Sequence, residues 1–152
     1  MSVTSDPFGL AALYPSLRRF AAVVSSSDGD PDDLLQAAVE RLLRVQADVE
    51  DPGAYLRRCM VNLESNRRRG LGRFRAAVGR LRPGTHEDRY PSDLSLLDAL
   101  TPLDRSVLFL VDVEGRPSSA VAEQLGLTDS AVRTRATRAR AELRARLQEE
   151  SP

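Results

Sequence analysis

The sequence predicts an all-α protein of two small helical domains joined by a flexible linker, and three observations predict it. Apolar residues recur at three- and four-residue steps through most of the chain, no segment shows a convincing two-residue strand period, and residues 70–91 break the pattern with four glycines and two prolines among charges. A chain of 152 residues suits one ordinary domain or two small ones, and two helical halves of this size each bury only a modest core.

The first helix is expected over residues 8–24, where Leu10, Leu13, Leu17, Phe20 and Val24 share a face and Pro15 kinks or restarts the helix. "SSSDGDP" (25–31) is a turn cluster that ends in an N-cap, Asp30, followed by Pro31 at the first helical position. A second helix then spans 31–45 with Leu34, Leu35, Ala38, Leu42 and Val45 inward. "ADVEDPG" breaks it, and Asp51-Pro52 starts a third helix to about Arg69 with Tyr55, Leu56, Cys59, Met60 and Leu63 on its apolar face. These helices form one three-helix unit, residues 1–69; residues 70–91 form the linker, with at most a weak helical turn at 73–81.

The second unit, residues 92–152, is expected to hold four helices. The first covers 93–100; Thr101 caps the next, Pro102 occupies its first position, and Asp104 suits the positive end of its dipole. That helix is expected to reach Val113, "EGRP" then turns the chain, and helices follow at 118–125 and 128–149. Between these last two, Ala122 keeps one helix thin at the crossing, Gly126 takes the positive backbone angle of the turn, and Val132 plugs the space between them, while Leu125 and Leu127 bury the corner. This is a helix-turn-helix pattern, although an ordinary helical hairpin shares the spacing.

Residues 127–147, "LTDSAVRTRATRARAELRARL", carry six arginines and no lysine. At about 100° per residue, Val132, Ala136, Ala139, Leu143 and Leu147 form the inward stripe, opposite Ser130, Thr134, Thr137 and Arg138. Arg133, Arg140 and Arg144 lie along one flank, and Arg135 and Arg146 along the other. A helix in the major groove has phosphates on both sides and base edges in front, so flanking guanidiniums around short polar groups match that setting, with Arg133 and Arg138 the best candidates for contact. An alternating Arg/Ala surface is also what a solvated helix face looks like.

Net charge selects no partner, because 22 basic residues balance 22 acidic ones, but the charges are segregated. Acids dominate residues 28–51, whereas nine arginines face the lone acid Glu64 over residues 57–82. One cysteine, Cys59, excludes an internal disulfide and reads as a packed thiol on an apolar face. No apolar run approaches a membrane span and the start lacks a signal-peptide pattern, so a cytoplasmic protein without membrane contact is expected. His86 has no metal-ligand companions, and no nucleophile elbow or phosphate-cradling loop is present, so neither an enzyme nor a metal or cofactor is expected.

Residues 100–147 resemble the region-four domain of extracytoplasmic-function sigma factors, the compact subunits that direct bacterial RNA polymerase to promoters, in the form of short actinobacterial members. The resemblance rests on Leu100 to Leu110, the Glu114-Gly115 turn, Ala122 to Gly126, and Arg138-Ala139-Arg140. It implies that Ser130, Arg133, Thr134, Thr137 and Arg138 read the minus-thirty-five element, with Arg140 beside them. "DPDDLLQAAVERLLR" is similar to the family's region-two helix that packs on core polymerase, which implies that role for Asp33, Leu34, Gln36 and Glu40. "DPGAYLRRCMVNLESNRRRG" resembles the helix that engages the minus-ten element; Asn62 and Arg67, Arg68 and Arg69 take the matching places, Tyr55 is the nearby aromatic, and residues 46–53 would capture a melted base.

The resemblance implies core RNA polymerase and promoter DNA as partners, with an anti-sigma factor as a further one, and a monomer when free. The sequence departs from the family in having no tryptophan, in Pro117 and Ala120 near the first helix of the motif, and in Thr137 where relatives carry a longer polar side chain. Two other functions fit the residues: a helix-turn-helix regulator that works without polymerase, and a sigma-derived protein without promoter-melting activity.

Overall fold

Sequence periodicity becomes six α-helices in the computed structural model, which describes residues 6–45, 49–78 and 93–150. They are α1 (Leu10–Val24), α2 (Pro31–Val45), α3 (Pro52–Val78), α4 (Pro102–Leu108), α5 (Ser118–Leu125) and α6 (Asp129–Glu150). A 3-10 helix, Asp93–Ala99, precedes α4, and a π-helical turn, Phe109–Val113, follows it. Most of the expected linker (79–91), His86 and residues 46–48 of the expected base-capturing loop lie outside the described residues.

The expected caps form. Asp30 Oδ1 accepts from the Asp32 amide (2.9 Å), Asp51 Oδ1 from Ala54 (3.0 Å) and Thr101 Oγ1 from Asp104 (3.2 Å). Each satisfies a first-turn amide that the helix itself leaves without an acceptor. At the start of α1, Asp6 does the same for Leu10 (2.8 Å) and Ala11 (3.0 Å).

Three helices differ from the sequence expectation. α1 passes unbroken through Pro15; Ala11 and Pro15 are both exposed, so the carbonyl that proline leaves without a donor lies on the solvent side. α3 runs to Val78 rather than ending near Arg69, because Gly70 and Gly72 are tolerated within a helix when nothing forces a turn. α4 stops at Leu108 and widens into the π-turn, closed by the Glu114 amide on Phe109 O (2.9 Å). Val107, Leu108, Phe109 and Leu110 are all buried, and four consecutive inward residues require an element enclosed on every side.

In the first unit, Leu17, Phe20, Ala21 and Val24 of α1 meet Leu35, Ala38 and Leu42 of α2 and Leu56, Cys59, Met60 and Val61 of α3. In the second, Val107, Leu110, Val121, Ala122, Val132, Ala136 and Ala139 fill the space beneath α6. Val45 and Leu147, expected inward, are about half exposed because each lies near the end of its helix, beyond its neighbours.

The two units do not stand apart; one core runs through both. The Phe20 ring meets Phe109 edge-on, centroids 6.1 Å apart, and carries the Arg57 guanidinium 5.9 Å from its centre. Arg105 of α4, whose side chain is 0% exposed, donates to Ser25 O at the end of α1 (3.1 Å). Arg58 of α3 donates twice to Gln124 O of α5 (3.2 and 3.0 Å), and Arg68 donates to Asp98 O (2.9 Å) and Leu100 O. Ser27 donates through its amide and hydroxyl to the Asp98 carboxylate.

The lone acid among the arginines is a clamp. Glu64, its side chain 3% exposed, accepts from the Ser26 amide (3.1 Å) and hydroxyl (2.9 Å) and pairs with Arg67 (2.8 Å), which also reaches Asp28 (3.0 Å). Burial alone would raise the Glu64 pKa, but Arg67 and Ser26 outweigh it and hold the carboxyl below its ordinary value. Glu64→Gln is expected to cost about 2 kcal/mol at neutral pH, read from urea midpoints. Since the folded pKa is the lower one, this contribution is complete above about pH 5 and is withdrawn as pH falls through the folded value, so parent and variant should converge in acid. An acid-independent gap between them would contradict the clamp.

Candidate nucleic-acid interface

The geometry of α6 follows from the turn before it. Gly126 ends α5 at φ +70°, a left-handed value that side chains disfavour, although a Cβ there would meet no atom within 4 Å. The Leu127 amide then closes on Ala122 O (2.9 Å), and Thr128 Oγ1 caps α6 by accepting from Ala131 (3.0 Å). Val132, Ala136 and Ala139 are buried and set the rotation of α6 about its axis, with Leu143 partly buried behind them.

That rotation brings Ser130, Arg133, Thr134, Thr137 and Arg138 together on the exposed face. The Thr137 hydroxyl donates back to Arg133 O (3.0 Å), leaving its methyl and lone pairs toward solvent. The arginines fall into two groups. Arg135 is held by Asp104 (2.9 Å), Arg140 grips Asp112 through two contacts (2.8 and 2.6 Å), and Arg146 pairs with Glu142 (3.1 Å). The guanidiniums of Arg133, Arg138 and Arg144 have no such partner among the described residues. The Arg140 contact lowers the Asp112 pKa and raises that of Arg140.

Sequence periodicity places Arg140 on a flank but says nothing of Asp112, since the two are joined only when the π-turn folds against α6. The pair is solvent-facing and therefore worth little to stability, yet it aims Arg140 at a carboxylate rather than outward.

On α3 the predicted residues divide in the same way. Asn62 and Arg69 are exposed, Tyr55 is half-buried, Arg67 is committed to Glu64 and Asp28, and Arg68 to the backbone of the second unit. Asn62 lines a cleft of about 440 Å³ whose walls include Arg41, Arg58 and Arg69 and whose far side is Leu103 and Leu125. Among the described residues no acid lines this cleft. Arg41 and Arg58 were not among the expected site residues; the excess of arginine over acid in residues 57–82 is the only sequence signal, and it reaches Arg58 but not Arg41.

Along α2, Asp33, Gln36 and Glu40 are exposed on one side of the helix, whereas Leu34 is 8% exposed and belongs to the core. Leu43 continues the same stripe and is 45% exposed, an apolar residue that periodicity alone does not separate from its buried neighbour Leu42. Among the described residues no helix is long and apolar enough to cross a membrane, and no group of three potential metal ligands is assembled.

Residues 94–143 match the family described as Sigma-70, region 4. The structure is similar to that of the sigma factor RpoE of Bartonella quintana, solved as a co-crystal with the anti-sigma factor NepR, with a TM-score of 0.71 and 23% identity over 94% of this chain and 96% of that one. No curated protein matches the chain. Residues 94–143 thus match sigma-70 region 4, and the chain has an all-helical fold similar to that of the sigma factor RpoE.

Proposed function

We infer that the protein is a sigma factor, which binds core RNA polymerase and places promoter elements against two helical surfaces. The observation that carries this reading is the outer face of α6, where Arg133 and Arg138, whose guanidiniums are unpaired among the described residues, flank the hydroxyls of Ser130, Thr134 and Thr137 on a helix whose rotation the buried residues beneath it dictate. In a major groove such a face meets phosphates at its edges and base edges at its centre.

In this reading residues 1–69 act as region two and residues 92–152 as region four. The exposed acidic stripe Asp33, Gln36 and Glu40, with Leu43 as its apolar anchor, docks on polymerase, while Leu34 supports it from the core. The side of α3 that carries exposed Asn62 and Arg69, with half-buried Tyr55, Arg67 and Arg68 beside them, faces minus-ten DNA. Arg67 contributes there chiefly by holding the end of α3 to the α1–α2 turn through Glu64 and Asp28. The work is binding and positioning, done in the cytoplasm. By likeness to a sigma factor crystallised with its anti-sigma factor, a protein inhibitor is a further partner.

Run-off transcription with purified core polymerase and genomic promoter fragments tests the reading: defined transcripts are expected. DNA binding with no initiation would instead identify a protein that has lost melting, and a stable homodimer on a palindromic site would identify an ordinary regulator. Arg138→Ala is expected to weaken upstream-element binding by about 1 to 3 kcal/mol on the preferred sequence and less on others if it reads a base edge. Asp112→Ala should have the opposite sign, because a released Arg140 adds about one phosphate contact and steepens the salt slope by about 0.9; an unchanged slope would exclude Arg140 from the interface. Asp33→Arg with Glu40→Arg should abolish most core binding in a pull-down while shifting stability by less than about 1 kcal/mol, since both side chains are exposed.

A further inference from the structure

Arginines at several helix contacts of this protein are matched by an acid: Arg67 by Glu64 and Asp28, Arg135 by Asp104, Arg140 by Asp112. The cleft beside Asn62 differs. Arg41, Arg58 and Arg69 share it, and among the described residues no carboxylate does. Arg41 has no hydrogen-bonded or ion-paired partner among the described residues, and Arg69 donates to the neutral amide oxygen of Asn66. Arg58 is fixed in direction by its two donors on Gln124 O, and its Nη1 is left over among the described residues. A solvated face spreads like charges apart, whereas a cleft that gathers three of them without a counter-charge gains by taking up an anion.

The size and lining of the cleft limit what that anion is. Its volume of about 440 Å³ falls in the range of small-molecule sites. Val61, Leu103 and Leu125 give it an apolar wall, and Asn62 and Ser65 add hydrogen-bonding groups. Inorganic phosphate would use the guanidiniums and leave the apolar wall wet. A mononucleotide uses all three kinds of group: guanidiniums bind phosphate oxygens, the amide meets a base edge, and the apolar wall takes a base face. Three cations without an acid suit a ligand that carries more than one phosphate. We propose that this cleft binds a free mononucleotide with two or three phosphates, the phosphates among Arg41, Arg58 and Arg69 and the base against Val61, Leu103 and Leu125. Asn62 and Arg69 also belong to the side of α3 that faces minus-ten DNA in the sigma-factor reading, so nucleotide and minus-ten strand exclude each other there. That consequence rests on the sigma-factor reading; the binding itself does not.

Equilibrium dialysis of the full chain against labelled ADP, GDP, CDP and UDP, with the matching nucleosides and inorganic diphosphate as comparisons, tests the site. At least one nucleotide is expected to bind about ten-fold tighter than both its nucleoside and inorganic diphosphate. Arg41 is exposed and lies outside the DNA-contact and polymerase-contact sets, so Arg41→Ala should fold normally and weaken nucleotide binding about ten-fold. Arg144→Ala removes the same charge from an exposed site on α6 and should leave the affinity unchanged. Run-off transcription with the bound diphosphate added reads the exclusion of the minus-ten strand. The polymerase is the same for both chains, so Arg41→Ala should need about ten-fold more nucleotide than the parent for half-inhibition.

Three results overturn the site: no nucleotide binds, inorganic diphosphate binds as tightly as any nucleotide, or Arg41→Ala and Arg144→Ala weaken binding equally, which is attraction to overall charge. Equal inhibition of parent and Arg41→Ala chains overturns the exclusion of the minus-ten strand, with the sigma-factor reading left standing. If neither chain initiates without added nucleotide, that reading falls, and the site stands or falls on the dialysis alone.

Discussion

Phe20 is where the two halves of this chain become one molecule. Its ring is fully buried, with the Arg57 guanidinium over it and the edge of Phe109 against it, so neither three-helix unit completes its apolar enclosure without the other. Small helical units bury too little surface to be comfortably stable alone, and sharing an aromatic residue is one way of enlarging both cores. The polar contacts around it, Arg105 on Ser25 and Arg58 on Gln124, then fix the angle at which the units meet.

A second constraint acts within the second unit. The left-handed residue Gly126 and the plug Val132 set where α6 leaves the turn and which way it faces. Everything proposed for upstream-element recognition follows from that rotation, because the same turn of the helix that buries Ala136 and Ala139 presents Arg133, Thr134, Thr137 and Arg138. Charge pairing refines the surface by tying Arg135 and Arg140 to Asp104 and Asp112, whereas Arg133 and Arg138 have no such pair among the described residues.

Buried charge shows where function and stability pull apart. Glu64 is matched by Arg67 and Ser26 and behaves as a clamp, whereas Arg105 is buried with less compensation, and burial lowers its pKa first, ahead of the repulsion from Arg68. A chain selected only for rigidity would place an apolar residue at such a junction.

The helices, their caps at Asp30, Asp51 and Thr101, the turn at Gly126 and the outward set on α6 were legible in the amino-acid sequence, because each depends on spacing within a few residues and on local backbone chemistry. The core residues were legible for the same reason, except near helix ends, where Val45 and Leu147 keep the period but outrun their neighbours. The partners of the charged residues were not legible. That Glu64 clamps Ser26, that Arg68 binds the backbone beside α4, that Asp112 restrains Arg140 and that Leu43 stands open beside buried Leu42 are matters of which surfaces meet. Periodicity determines the face a residue occupies, and only tertiary packing decides what stands opposite it, because ion pairs and shared cores join positions tens of residues apart that carry no mutual signal along the chain.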